Sequence, residues 1–509
     1  MISTIKKEQN HRSEEARPRS WLKHHLKGAA LALGLGALSV FISSDSGLTD
    51  SKAKTASHAT TGTLCRDEEC LGRTLNYIIV TRPMFVDSLK DFAEWKAGIG
   101  FDSAILTVDW TDKNYTGALL ADKIKAAIHN LRSDGDTFAL LVGDTQVNQQ
   151  LAEGIASPGA HLQMNSLESP WNVPSGYYYR NLPGERYRSE EYTDVFFADP
   201  HDWDPEKDGL NDAVDSATPN GTDFIFVGRW PVRTVNEVSA ISKKTIQGAM
   251  VAEKGGFERK LVALSDASLQ ENDIIPSECN ENANFREDKL TWAIKINCET
   301  GIIGAKRATQ EAGFAFEFHS FKVDSENKFS DKDSEAFTSL FLGAKTMMLE
   351  HFHGGHSVLS APLKPGSNTI GLSNSQFTGV MPLMQMLSCS VGTFYVSGNP
   401  NPDNPAQYNS IFDDSFNEAL IKKVPGPIIV VSPEFTYAFY LKMATGASVG
   451  DAFYSSKTIE SSLLAQWKQK IADFKPEDGS MSWLGSGNGI TLQGSDNLLG
   501  DPSLVLYPK

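Results

Sequence analysis

Three short apolar runs separated by two amphipathic stretches restrict this chain to few architectures. NYIIVT (76–81), SAILTVD (103–109) and FALLVGD (138–144) are near-continuous in apolar residues, as strands buried on both faces are. Between the first two, Phe85, Leu89, Phe92 and Trp95 recur at helical spacing, and the pattern stops near Gly98. Between the second and third, Leu120, Ile124, Ile128 and Leu131 do the same ahead of DGD. Such alternation predicts a parallel sheet covered by helices on both faces.

The pattern returns after a Pro-, Gly- and Tyr-rich stretch at 145–221. DFIFVGRWPVR (223–233) reads as a strand and Val235 to Glu253 as a helix. A second unit starts at KLVALSD (260–266) and continues through FAFEF (314–318), KTMMLEHFHGG (345–355), MPLMQMLSC (381–389) and PIIVVSP (427–433). Amphipathic stretches at 412–422 and 448–470 separate or follow the last strands. The expected fold class is α/β with two subdomains, each a mostly parallel sheet flanked by helices. The first spans 75–245 with a long loop insertion, the second 246–509.

Residues 1–45 read as a targeting segment. Arg17, Arg19, Lys23 and Lys27 precede the apolar run GAALALGLGALSVFI (28–42), the order of a secretory signal. The run is shorter than the roughly 20 residues a comfortable membrane span needs, so a cleaved signal is expected, with an uncleaved anchor as the alternative. Residues 46–74 form a linker. The mature chain is expected outside the cytoplasm, in the periplasm, at the cell surface or in the medium, touching a membrane only through such an anchor. Net charge is −16, with no Lys/Arg run beyond the N-terminus, which argues against nucleic acid as a partner.

Five cysteines fit an oxidising compartment. Two local disulfides are expected, Cys65–Cys70 and Cys279–Cys298, leaving Cys389 over. In DWDPEKDGLND, the carboxylates of Asp202, Asp204, Asp208 and Asp212 surround a glycine and could cage a structural calcium, although the spacing is not that of an EF-hand. A hydrated acidic loop accounts for them equally well.

EHFHGGHS (350–357) packs His351, His353 and His356 into six positions. His-x-His-x-x-His is the spacing by which metallo-β-lactamase-type hydrolases hold zinc. Those enzymes need Asp where Gly355 stands, and further histidines downstream; all 11 histidines here lie at or before position 356. A metal-dependent hydrolase on this cluster is therefore the weaker alternative. His353 follows the apolar run Thr346–Leu349, and Cys389 follows Met381–Leu387, so both sit at carboxyl ends of expected strands. Ligand crevices of open parallel sheets form at that edge. A thiol is mostly protonated at neutral pH and needs a base, which His353 could supply before protonating the leaving amine. Gly354 permits close approach of a substrate and can present its N–H to an oxyanion. His319 and His129 are expected to be ordinary satisfied or solvent-exposed histidines. Asp413, Asp414 and Glu418 read as a charge cluster at a helix N-terminus.

MMLEHFHGG and MLSCSVGTFY resemble the His-Gly and Cys strand ends of the gingipain-type cysteine peptidases, relatives of the caspases and legumains. NYIIVT with its helix ending in WKAGIG, VGRWPVRTVNEV, FNEALI, ATGASVGDAF and LLGDPSLVLYP are similar to further segments of that family, in the same order. The resemblance covers about residues 75–509. It implies a caspase-like fold, Cys389 as nucleophile, His353 as its base, and an oxyanion hole from the N–H groups of Gly354 and Cys389. It also implies protein or peptide substrates and no cofactor for the chemistry. The family's usual segment is Gly-His-Gly. Here Phe352 precedes His353, and Gly355-His356 forms a second Gly-His pair, so His356 competes for the base role. The chain ends directly after LGDPSLVLYP behind a short N-terminal linker, so no large inhibitory propeptide is expected. A catalytically silent surface binding module of the same fold is the alternative from another functional class.

Overall fold

The computed structural model describes residues 63–65, 70–117, 120–144, 176–180, 189–198, 225–266, 298–321, 329–343, 345–355, 358–360, 377–387, 414–433, 436–457 and 497–509. The three opening apolar runs are strands, and the helical-spacing stretches between them are helices. In chain order the first half holds β1 (Thr63–Leu64), β2 (Tyr77–Thr81), α1 (Val86–Gly98), β3 (Ser103–Thr107), α2 (Val108–Asn114), α3 (Leu120–Leu131) and β4 (Phe138–Val142). It continues with the hairpin of β5 (Gly176–Arg180) and β6 (Ser189–Thr193), then α4 (Val195–Ala198), β7 (Phe226–Trp230) and α5 (Val235–Glu253).

The second half begins with β8 (Lys260–Asp266), α6 (Gly301–Glu311), β9 (Ala315–Phe321) and α7 (Asp331–Gly343). Next come β10 (Met347–His351), β11 (His353–Gly355), β12 (Val358–Ser360) and β13 (Met384–Met386). The chain closes with α8 (Phe416–Lys422), β14 (Val430–Val431), α9 (Thr436–Ala444), a helical stretch at 449–457 and β15 (Leu498–Leu499).

Eleven strands form one sheet in the order β1-β3-β2-β4-β7-β15-β14-β13-β10-β8-β9. The pairs within β1–β4 and β7, and those joining β14, β13, β10, β8 and β9, are parallel. Strand β15, from the closing LLGDP segment, joins the two halves. It pairs antiparallel with β14 (Val430↔Leu499, Val431↔Leu498) and meets β7 at Leu499↔Arg229. Gly228 makes this junction possible: a Cβ there would lie 2.4 Å from the Gly500 carbonyl oxygen. This is the α/β, mostly parallel arrangement flanked by helices that a caspase-like fold requires.

Alternation sends successive residues of each strand into different cores. Ile78 and Val80 pack on one face of β2, Tyr77 and Ile79 on the other. Likewise Met347 and Leu349 of β10 face one core, and Met348 faces a second that contains Phe321, Phe337, Phe352 and Met386. Both long-range helix starts carry the S/T-x-x-E signature. Thr234 and Glu237 cap α5 reciprocally, as Ser415 and Glu418 cap α8.

A buried ionic network ties distant segments together. Arg229 of β7 is fully buried and grips Asp194 with two bonds of 2.7 Å while donating to the Gly143 carbonyl at 2.8 Å. The Asp194 amide in turn donates to Asn497 Oδ1, two residues before Leu499, at 3.1 Å. Cys65 and Cys70 form a disulfide with a Cα–Cα distance of 5.4 Å. Cys298 is also disulfide-bonded; Cys279 lies outside the described residues, as does residue range 1–62. Among the described residues no helix is long and apolar enough to cross a membrane.

Candidate active site

The two strands that lead to His353 and Cys389 are neighbours. β10 and β13 run parallel in the register Met348↔Met384, Leu349↔Gln385 and Glu350↔Met386. Beyond the last pair, the Leu387 amide donates to the Glu350 carbonyl at 2.9 Å. The chain therefore leaves both strands at one end of the sheet, side by side, about 4.8 Å apart. His353 is two residues past the end of β10, and Cys389 is two residues past Leu387.

His353 and Gly354 open β11, which folds back on β12 with His353↔Ser360, Gly354↔Leu359 and Gly355↔Val358. His356 follows Gly355 between these paired strands and lies outside the described residues, as do Cys389, Asp202, Asp204, Asp208 and Asp212. His351 ends β10, half-buried, in register with Ser265 of β8. Among the described residues no group of three His, Cys, Asp or Glu side chains is placed to hold a metal.

Two residues at this end of the sheet escaped sequence reasoning. Glu350, the one acidic residue in the run TMMLE, is fully buried, and its Oε1 accepts the Phe352 amide at 2.6 Å. Phe352 is only 4% exposed, with its ring centroid 5.5 Å from Phe337 and 6.2 Å from Phe321. A carboxyl interrupting an otherwise apolar strand was the available signal, because burial of such a group is costly unless it is hydrogen-bonded.

A polar cluster extends from the neighbouring strand ends. Asp144 follows β4, Arg233 follows β7, Asp414 precedes α8, and Glu418 and Lys422 belong to α8. Arg233 Nε pairs with Asp144 and its Nη2 lies 3.4 Å from Asp414, while Lys422 Nζ is 2.6 Å from Asp414. Asn417 of α8 donates to Ser432 Oγ, just past β14, at 3.0 Å. Gln385 of β13 donates to the Pro433 carbonyl at 2.5 Å, which completes a polar connection from α8 to the strand that precedes Cys389 in the chain. Burial, reinforced by the nearby Asp144 carboxylate, pushes the Glu418 carboxyl up to about 8.

Two further histidines among the described residues, His319 and His129, have structural partners. His319 Nε2 is 2.6 Å from Glu317, whose other oxygen pairs with Lys260. His129 departs from the exposed placement expected of it: it is half-buried, with Nε2 2.9 Å from the Phe197 carbonyl, because α4 packs against α3.

The sequence pattern of peptidase family C25 matches residues 71–507. Among solved structures, the chain is similar to the Arg-specific cysteine proteinase gingipain R (RGPB). The identity is 12%, over 86% of this chain and 79% of that one, with a TM-score of 0.45. It is also similar to the complex of Porphyromonas gingivalis RgpB pro- and mature domains, at 13% identity over 85% and 79% of the two chains and a TM-score of 0.46. No curated protein matches it. With the family pattern spanning nearly all of the sheet-forming chain, the protein belongs to peptidase family C25, the gingipain-type cysteine peptidases.

Proposed function

We propose that this cysteine peptidase is an exported endopeptidase that cleaves proteins through a Cys389–His353 dyad. The observation that carries the reading is the parallel pairing of β10 with β13, closed by the Leu387–Glu350 hydrogen bond, which starts both catalytic segments from adjacent strand ends. His353 takes the Cys389 proton, and the thiolate attacks the scissile carbonyl carbon. The N–H groups of Gly354 and Cys389 receive the developing oxyanion. His353 then protonates the departing amine, leaving a thioester on Cys389. Water, deprotonated by His353, hydrolyses that thioester and restores the thiol. His353 is favoured over His356 because it lies two residues from the sheet, whereas His356 is three residues further along the β11–β12 hairpin.

Export is supported by the basic-then-apolar order of residues 17–42 and by the Cys65–Cys70 disulfide, since such bonds persist in oxidising compartments. The decisive experiment incubates wild type, Cys389→Ala, His353→Ala and His356→Ala with an unstructured protein and maps fragments by mass spectrometry. Cleavage by wild type and His356→Ala alone is expected. Equal cleavage by Cys389→Ala removes the dyad, and silence of the wild type favours the binding-module alternative.

A further inference from the structure

We infer that Glu350 is a positioning residue, whose buried carboxyl group and the Phe352 it holds fix the segment that brings His353 to the end of the cysteine-bearing strand. The inference rests on the Cys389–His353 reading above and deepens it.

Glu350 occupies a position that packing alone would fill with an apolar side chain. It shares the inner face of β10 with Met348 and stands in register with Met386, both core residues, yet it carries a carboxyl group with no solvent exposure. Its two kinds of hydrogen bond point to the two catalytic segments. The side-chain Oε1 accepts the amide of Phe352, the single residue between β10 and β11, at 2.6 Å. The main-chain carbonyl accepts the amide of Leu387, on the strand that leads to Cys389, at 2.9 Å. One residue therefore ties the histidine segment and the cysteine segment to a common point.

Phe352 completes the restraint. Its amide is held by Glu350, and its ring is seated against Phe337 and Phe321 in the core. The residue immediately before His353 is thus pinned through both its backbone and its side chain. A glycine there would keep the amide bond but lose the ring contacts. Base and nucleophile must meet within hydrogen-bond reach, and a displacement of about 1 Å costs on the order of a hundredfold in rate. A carboxyl that only satisfies the bend between two strands would affect stability but leave the dyad's chemistry alone.

That difference can be read without knowing the substrate. The intact protein is alkylated with iodoacetamide across pH 4–9, and modification of Cys389 is followed by mass spectrometry. A thiol paired with an imidazole reacts at pH values below the ordinary thiol range near about 8.5. Glu350→Met, which keeps volume and removes the acceptor, is expected to lower the alkylation rate at pH 6 by about tenfold. Its profile moves towards that of His353→Ala. Glu350→Gln, whose amide oxygen can still accept the Phe352 N–H, is expected to restore the low-pH reactivity to within about threefold. If Glu350→Met does not fold, Glu350→Asp, shorter by one methylene, is expected to show the same loss. A folded Met or Asp variant with the wild-type profile overturns the inference while leaving the dyad standing. Failure of folded Glu350→Gln to restore reactivity overturns it too. If His353→Ala itself keeps the wild-type profile, the dyad reading is wrong and the inference falls with it.

Discussion

Lys96 Nζ lies 2.5 Å from Asp501 Oδ2, with both side chains sealed from solvent. Lys96 belongs to the last turn of α1, and Asp501 to the closing LGDP segment. Asp501 also accepts the Tyr77 hydroxyl at 2.8 Å and Ser503 Oγ at 2.9 Å, and the ammonium sits over the rings of Tyr77, Trp95 and Phe101 at 4.5–5.1 Å. The pair therefore anchors the segment that supplies the junction strand β15 onto the first half of the sheet.

Removing one partner leaves the other charge buried without its counterion. Lys96→Met and Asp501→Asn are each expected to cost about 3–5 kcal/mol. The double variant is expected to lose clearly less than the sum, because the surviving ion is what carries most of the penalty. Urea unfolding of the four proteins measures the cycle; strict additivity would show that the pair is not coupled.

Glu418 makes stability fall with rising pH. Its native carboxyl holds the proton up to about 8, against 4.5 for an ordinary glutamate, so the folded state binds more protons between those values. The contribution is complete below pH 4.5 and is lost as pH climbs through 8, by at most about 1.4 kcal/mol per unit. Glu418→Gln should flatten the unfolding free energy between pH 5 and 8. Its benefit relative to wild type should grow with pH.

Lys244 acts in the opposite sense. Its ammonium is buried in α5 and donates to the carbonyls of Ile421, Lys423 and Pro427 at 2.5, 2.9 and 2.7 Å. Burial lowers it from 10.5 to about 7, so the unfolded chain binds more protons between those values and stability rises with pH across that window. Lys244→Met should remove this slope. It should also destabilise by about 2–4 kcal/mol at pH 9, since buried carbonyls lose the N–H groups of the amine that serve them. Thermal unfolding at pH 7 and 9 separates the two effects.

Chelation tests the chemistry from another side. Cleavage is expected to survive EDTA and to be abolished by iodoacetamide, because the proposed nucleophile is a thiolate. Loss of activity under EDTA that calcium alone restores would assign a structural ion to the carboxylates of Asp202, Asp204, Asp208 and Asp212. Restoration by zinc alone would revive the histidine-cluster hydrolase.

Much of the scaffold was legible because its signals are local. Near-continuous apolar runs announced β2, β3, β4 and β8, helical spacing announced α1 and α3, and the stretch from Val235 to Glu253 was read as the helix that is α5. The apolar runs that end just before His353 and Cys389 were read as strands, and the structure makes their strands β10 and β13 parallel neighbours. The β11–β12 hairpin was not foreseen, since three-residue strands rich in glycine have no periodicity to read. Nor was β15: LLGDP contributes only two strand residues, and its place in the sheet depends on Gly228, Gly500 and the Asp194–Arg229–Gly143 contacts.

By itself the sequence determined the α/β class, the order of the early elements and the family to which the chain belongs, because side-chain periodicity and short motifs are properties of contiguous residues. Only the tertiary structure decided that the two halves share one sheet, that Glu418 and Lys244 are buried, and that Glu350 holds Phe352 while its carbonyl binds Leu387. Burial and ion pairing are set by residues far apart in the chain. A charged side chain can therefore be read as solvated or as a core element only once its distant neighbours are in place.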